Sequence, residues 1–270
     1  MSAIESREDH GEPEITVVTV VKDHPLGLVW TIESLLQQTF KNWKAIIIVG
    51  DSTDNTLEVA QRYSKTNENI LTILQNGVGI YQAMNQATKL VSSKYVWYMN
   101  AGDRFFGECS MSTAIREAEE EPLVLLIGGH KIDNGRDEVG YSFQDKILTP
   151  FWFSINRRFG CHQAMLFLTS KVKALGCYNT KYKITADFDL VMRLCSIGVV
   201  RRSPSMLAIV EPGGGADQNI VFVHREKQLV RKALLGSKIL VLMGQIWTEL
   251  AILKIQLKKF ISYKRREARA

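Results

Sequence analysis

The chain has 270 residues, 46% of them hydrophobic and 23% charged, an ordinary globular composition with enough length for a sizeable core. Its net charge of +6 is unevenly placed: from Arg225 onward twelve Lys/Arg face three Glu, a surplus of nine that leaves residues 1–224 at −3. This balance argues against nucleic acid as a ligand of the main part and directs the basic end toward an anionic surface. Four cysteines (Cys109, Cys161, Cys177 and Cys195) form no CxxC pair, so reduced thiols are expected and no zinc site.

Residues 1–14 are polar and acidic (Glu5, Glu8, Asp9, Glu12, Glu14) and read as a flexible tail rather than a signal peptide. Ile15–Val21 reads as a fully buried strand, broken by Lys22-Asp23-His24-Pro25. Leu28, Ile32, Leu35 and Leu36 then recur at helical spacing. Ala45–Val49 is a second buried strand, followed by a polar loop from Gly50 to Thr56 and a helix carrying Leu57, Ala60 and Tyr63. Ile70–Leu74 is a third strand. Gly77 and Gly79 open a helix with Ile80, Ala83, Met84, Ala87 and Leu90, and Tyr95–Met99 is the fourth strand. Such alternation predicts an α/β domain with a mostly parallel sheet and right-handed crossovers.

Beyond Asp103 the alternation loosens. A helix over Ser110–Glu119 and a strand over Leu123–Ile127 precede an irregular stretch, 128–159. Cys161–Phe167 is strand-like, Thr185–Leu194 is a helix with acids in its first turn, and Val199–Arg202 and Met206–Val210 are short strands. Glu211–Gly215 reads as a flexible loop able to close over a ligand, or as an ordinary tight turn.

Polar clusters fall at strand ends and helix starts: Asp51–Asp54, Gly77–Tyr81, Asn100–Asp103 and Asp187–Asp189. The carboxyl ends of parallel strands share one edge, where helix N-termini favour a diphosphate and a carboxylate favours Mg²⁺ or Mn²⁺. The same residues taken singly also read as a solvated turn at Asn100–Asp103 and a helix N-cap at Asp187. Neither GxGxxG nor GxxxxGK[ST] is present, which weakens dinucleotide and P-loop readings.

The ordered pieces 16–21, Thr31–Phe40, Ser52–Thr56, Gly79–Asn85, Tyr98–Asp103, His162-Gln163 and Ala186–Asp189 together resemble the family 2 glycosyltransferases. Within that family the chain is similar to bacterial enzymes of exopolysaccharide, colanic-acid or O-antigen biosynthesis. The resemblance implies a single Rossmann-like domain of the A-type glycosyltransferase fold over 15–215, with a nucleotide-sugar half (15–103) and an acceptor half (104–215). It implies inverting transfer of a sugar from a nucleotide-diphosphate sugar, a UDP-sugar above all, to a hydroxyl of a glycan or lipid-linked acceptor. By the same resemblance Asp103 holds a divalent Mn or Mg ion and Asp187 is the general base. Thr19, Asp23, Asp51, Gly79, Asn85, Asn100 and Asp103 fall on the nucleotide-sugar side, and His162 and Gln163 on the sugar or acceptor side. Departures from the family pattern are the missing acids at Val49 or Gly50, near Gly77, at Gln82 and at Gly102. They leave open a degenerate binding protein, and a sugar nucleotidyltransferase on a related sheet is the rival enzyme.

Residues 216–270 read as a helical basic extension. Ile239, Met243, Ile246, Trp247, Leu250, Leu253, Leu257, Phe260 and Ile261 share one helical face, and Lys258, Lys259, Lys264, Arg265, Arg266 and Arg269 crowd its end. Gln245, Glu249 and Lys254 interrupt the apolar run, so an amphipathic helix lying on a membrane is expected, not one crossing it. The alternative is packing on the domain or on a second copy in a homo-oligomer. Together these readings place the protein in the cytoplasm, peripheral on the cytoplasmic face of the inner membrane.

Overall fold

The computed structural model describes residues 13–133, 138–144, 146–149, 151–152, 160–213 and 219–267. Strand β1 (Ile15–Val21) is built entirely of β-branched residues, whose stiff side chains suit a pleated surface, and all seven are buried. It pairs in parallel with β2 (Trp43–Val49) on one side and β4 (Tyr95–Tyr98) on the other, and β3 (Ile70–Leu74) extends the sheet beyond β2. The crossovers are α1 (Pro25–Leu36), α2 (Thr56–Thr66) and α3 (Ile80–Leu90). Pro25 stands in the first turn of α1, where the N–H it lacks would have no helical partner.

The second half follows with β5 (Arg104–Phe105), α4 (Ser110–Glu119), β6 (Leu123–Asp133), β7 (Glu138–Tyr141), β8 (Lys146–Leu148) and a 3₁₀ turn at His162–Ala164. After it come β9 (Met165–Leu168), α5 (Thr169–Ala174), α6 (Ala186–Cys195), β10 (Val199–Val210), α7 (Ile220–Leu234) and α8 (Lys238–Glu267). The sheet order is β3-β2-β1-β4-β9-β6-β10-β5, with β7 on β6 and β8 on β10. The longer ladders are parallel, while β9 runs antiparallel to both β4 and β6. Since β10 is parallel to β6, two reversals restore the direction of β4. The carboxyl ends of β1, β2, β4 and β10 and the start of β9 therefore share one edge.

Two apolar layers sandwich the sheet. Val18, Val20, Tyr98 and Phe167 face α3 and α6, while Ile15, Val17, Val21, Trp97 and Met99 face α1 and α4. The alternation along β1 and β4 is the period-two signature of a strand covered on both faces.

Three elements differ from the sequence reading. Part of the stretch read as irregular is structured: β6 continues to Asp133, and β7 and β8 are strands. β10 is one strand, not two, with register shifts around Pro204, which has no N–H for the ladder. The C-terminal extension is a helical hairpin packed on the domain: Val230 of α7 and Ala251 and Ile252 of α8 are buried. Lys238–Leu257 is also long and apolar enough to cross a membrane by length and composition alone, which the interrupting polar residues had argued against. Phe167 is fully buried, edge-on to Tyr98. Phe167→Ala should cost about 3–5 kcal/mol in unfolding free energy, read from urea denaturation.

Candidate active site

At the end of β4 the chain makes a tight turn, with the Asp103 N–H donating to the Asn100 carbonyl at 3.1 Å. Thr31 of α1 braces the turn. Its hydroxyl accepts from the Gly102 N–H at 3.1 Å and lies 2.7 Å from the Asp103 carbonyl. Asp103 is only 5% exposed. Its carboxylate accepts the Glu211 N–H at 2.9 Å. Burial raises its pKa to about 7; the Glu211 charge adds to the rise, while the Glu211 N–H, the Gln163 side chain and Arg104 oppose it.

Gly102 has φ +98°, a backbone conformation that suits glycine, and a Cβ there would lie 2.0 Å from Glu211 Oε2. The carboxylate of Glu211 thus occupies the space a side chain at 102 would need. An acid missing from the turn is delivered from the end of β10. His24, at the end of β1, steadies Glu211 through an Nε2–Oε2 contact of 2.9 Å.

The donor set fits a hard divalent cation. Asn100 Oδ1 is buried with no hydrogen-bond partner among the described residues, and Asn100 belongs to the same turn as Asp103, through the Asp103 N–H to its carbonyl. Among the described residues no three His, Cys, Asp or Glu side chains form a metal cluster by themselves. Mg²⁺ and Mn²⁺ sites commonly take one or two carboxylates and complete the shell with phosphate oxygens and water.

Beside this turn, the loops after β1 and β2 are stitched together. Asp23, at φ +49°, accepts the Thr53 N–H at 2.7 Å, and its own N–H donates to Ser52 Oγ at 3.1 Å. Asp54 accepts from the Thr56 N–H and hydroxyl, the latter chiefly lowering its pKa. Asp51 is exposed at the mouth of the same loop. Gly79, at φ +103°, leads into α3. In this loop side-chain amides of α3 hold the preceding backbone: Gln82 Oε1 accepts the Val78 N–H at 2.9 Å and Gln86 Oε1 the Asn76 N–H at 2.7 Å.

Asp187 lies in the first turn of α6, half-buried. Burial raises its pKa, opposed first by the Lys227 charge and then by backbone hydrogen bonds, while Glu226 adds to the rise. Cys161, at the start of β9, relates the two acids in space. Its thiol is pushed up by burial and further by both Asp103 and Asp187, so it lies within electrostatic reach of each. Cys161 Sγ also donates to Gln163 Oε1 at 2.7 Å. Tyr81 and Tyr178 stack at 5.4 Å, and both hydroxyls feel the Asp187 charge.

Comparison with known proteins matches residues 16–176 to the model of glycosyl transferase family 2. The chain belongs to this family. A PGL/p-HBAD biosynthesis glycosyltransferase of Mycobacterium bovis is 25% identical over 240 residues, covering 87% of this chain and 91% of that protein. Among solved structures, S. aureus TarS 1-349 superposes with a TM-score of 0.67 at 15% identity, covering 83% of this chain and 66% of that one, about two thirds of its length. Its complex with UDP-GlcNAc gives 0.64, covering 82% and 71%. A mannosyltransferase from Pyrobaculum calidifontis, in complex with GDP-Man and Mn²⁺, gives 0.65 at 12% identity, covering 89% and 71%.

In this family 2 glycosyltransferase the strand-end edge gathers Asp23, Asp51, Gly79, Asn100, Asp103 and Gln163. Three other residues singled out from the sequence are placed differently. Thr19 is 2% exposed inside the sheet, two residues short of the strand end. Asn85 spends its amide on the backbone of Tyr178, accepting from its N–H and donating to its carbonyl, both at 2.9 Å. His162 is 8% exposed, stacked on Tyr98 at 5.3 Å with Nε2 on the Tyr178 hydroxyl, so the ring faces the core rather than a substrate. Conversely, His24, Cys161 and Glu211 acquire their neighbours at this edge only through strand order, which local sequence does not reveal. Gly213 lies within the described residues; Gly214 and Gly215 of the proposed closing loop lie outside them.

Burial holds the His162 pKa down to about 3 from a usual 6.5, so its neutral form is favoured in the fold. The unfolded chain binds the extra proton first, hence this residue withdraws stability as pH falls from about 6.5 toward 3. His162→Gln should flatten that part of the stability–pH curve relative to the parent, measured by denaturant unfolding at pH 7 and pH 4.5. A parallel pair of curves would rule the assignment out.

Proposed function

We propose that this glycosyltransferase carries out inverting transfer of a sugar from a nucleoside-diphosphate sugar, UDP-linked in the first instance, to a hydroxyl of a glycan or lipid-linked acceptor. The observation that carries the reading is the buried Asp103 turn at the strand-end edge of the family's fold, where the Glu211 carboxylate fills the space beside Gly102 and Asn100 Oδ1 is buried without a partner among the described residues. The complexes of structural neighbours with UDP-GlcNAc and with GDP-Man and Mn²⁺ support the donor class and the use of a divalent ion.

In this reading Asp103, Asn100 and Glu211 hold the metal, which when bound supplies Lewis-acid neutralisation of the leaving diphosphate. Asp23 and Asp51 border the nucleotide side, and the N-terminus of α3 faces the phosphates with its free N–H groups. Asp187 accepts the acceptor hydroxyl's proton as that oxygen bonds to the anomeric carbon. The bond from anomeric carbon to diphosphate oxygen breaks, and the nucleoside diphosphate leaves with the electron pair. A carboxylate raised by burial is a better base than a solvated one, provided it remains ionised at the working pH. His162 and Asn85 act at one remove, holding Tyr178 behind this pair. Thr19 contributes to the sheet.

Asp103→Ala and Asp187→Asn should each lower transfer by at least about 10²-fold, the usual scale for a general base. Calorimetry with a panel of nucleotide sugars plus Mn²⁺ should show donor binding retained in the Asp187 variant and lost or weakened in the Asp103 variant. Turnover preserved in Asp187→Asn would refute the base; no donor bound by the parent would favour a degenerate binding protein.

We further assign α8 to an anionic membrane surface at the cytoplasmic face. Ile239, Leu242, Ile246, Leu250, Leu253 and Leu257 are about half exposed or more and recur at three- and four-residue spacing. Basic residues from Lys258 onward follow them in sequence, each worth about 1 kcal/mol near anionic lipid. Joint replacement Leu242→Ser, Leu250→Ser and Leu253→Ser should reduce co-sedimentation with anionic liposomes. Equal binding by parent and variant would sink this assignment.

A further inference from the structure

We infer that α7 is part of the catalytic apparatus, with Glu226 acting as a positioning residue for Asp187 and Lys227 as that carboxylate's counter-charge. The inference rests on the reading of Asp187 as base and adds residues beyond the segment the family model matches.

Glu226 is 5% exposed, and its carboxylate is saturated by the strand of chain entering α6. It accepts the Lys183 N–H at 2.7 Å, the Ile184 and Thr185 N–H groups at 2.9 Å each, and the Thr185 hydroxyl at 3.0 Å. Three successive backbone amides and one hydroxyl therefore close on one anion immediately before the helix whose second residue is Asp187. Thr185 makes no side-chain cap of its own for α6, so the acid from α7 takes up donors at this entry instead. A buried carboxylate is costly unless fully hydrogen-bonded, and this one is satisfied only by that loop geometry. The clamp thus fixes where α6 begins and with it where Asp187 sits.

The next residue along α7 stands over Phe188, the residue that follows Asp187. Lys227 is half-buried, with Nζ 5.2 Å from the ring centre of Phe188, the neighbour of Asp187. It is the leading opposite charge at Asp187, whereas Glu226 acts there with the same sign as Asp187. The other titratable groups around Asp187 are Tyr81 from α3, Tyr178 from the loop after α5, and Cys161 from the start of β9; Arg231, one turn further along α7, bears on Lys227. None of these is altered by the variants below. α8 supports α7 from behind through Gln228 Nε2 to the Val241 carbonyl at 3.1 Å and Arg231 to the Thr248 hydroxyl at 3.4 Å.

A purely structural clamp and a positioning clamp part company in their kinetics. In the full-length chain, Glu226→Ala should lower kcat by on the order of 10²-fold, the scale of a misplaced catalytic group, with donor affinity by calorimetry unchanged. The acid limb of the kcat–pH profile reports protonation of Asp187. Removing the Glu226 charge in Glu226→Gln should move that limb to lower pH, and removing the Lys227 charge in Lys227→Met should move it to higher pH. These opposite shifts are the decisive readout, since general loosening of the fold would not produce them.

An unchanged kcat in Glu226→Ala overturns the inference. So does a fall in kcat matched by equal losses of donor affinity and melting temperature with the limb unmoved. Should the Glu226 variants not fold, Lys227→Met decides: a limb that stays or moves to lower pH overturns the proposal. Full activity in Asp187→Asn would remove the base itself, a failure separate from one confined to the α7 variants.

Discussion

The buried carboxylate of Asp103 is the constraint around which the strand-end edge is arranged. An acid at 5% exposure needs a donor, and here it comes from a distant part of the chain, the Glu211 N–H after β10. Thr31 holds the backbone of the same turn from α1. Each contact is fixed by an element that must already be in place. The turn is therefore a product of the whole topology, although its residues are consecutive in sequence.

The same dependence explains Glu211. A glycine at 102 leaves the turn with one acid, and its positive φ makes room for a carboxylate arriving from elsewhere. Strand β10 brings one because two antiparallel steps around β9 return it to the direction of β4. Acid count along the motif thus understates the acid count in space. The acid beside Gly102 is one whose position depends on β9 being inserted the other way round.

That is also where the sequence stops being informative. The first four strands, three crossovers and the Asn100–Asp103 turn were legible because each is local: a β-branched run, a helical period, a Gly-Asp break. The family resemblance adds Asp187 and the His162-Gln163 pair through ordered motifs. Non-local placement was not legible. Thr19 and Asn85 belong to matching segments, yet one faces the interior of the sheet and the other is committed to the Tyr178 backbone. His162 is chemically capable in isolation, but aromatic neighbours from β4, β9 and the 178 loop enclose it. Val199–Arg202 and Met206–Val210 read as two strands in sequence; parallel pairing with β6 on both sides of the irregularity keeps them one.

The two acids of the proposed reaction are tuned by different means, and the difference fits their roles. Asp103 has a hydrogen-bond donor in the Glu211 N–H that favours its ionised form, while the Glu211 charge disfavours it. In the proposed reaction a divalent cation held there would offset that repulsion. Among the described residues Asp187 takes a backbone donor only from its own helix start, and is balanced between Lys227 and Glu226 of α7. A base must give up its ionised form once in each turnover, so a lone counter-charge at a distance serves it better than a saturated hydrogen-bond shell. That saturated shell is found one step back, on Glu226, where the carboxylate has no proton to take and only a loop to hold. Separating the group that holds from the group that reacts lets the first be rigid without fixing the charge of the second.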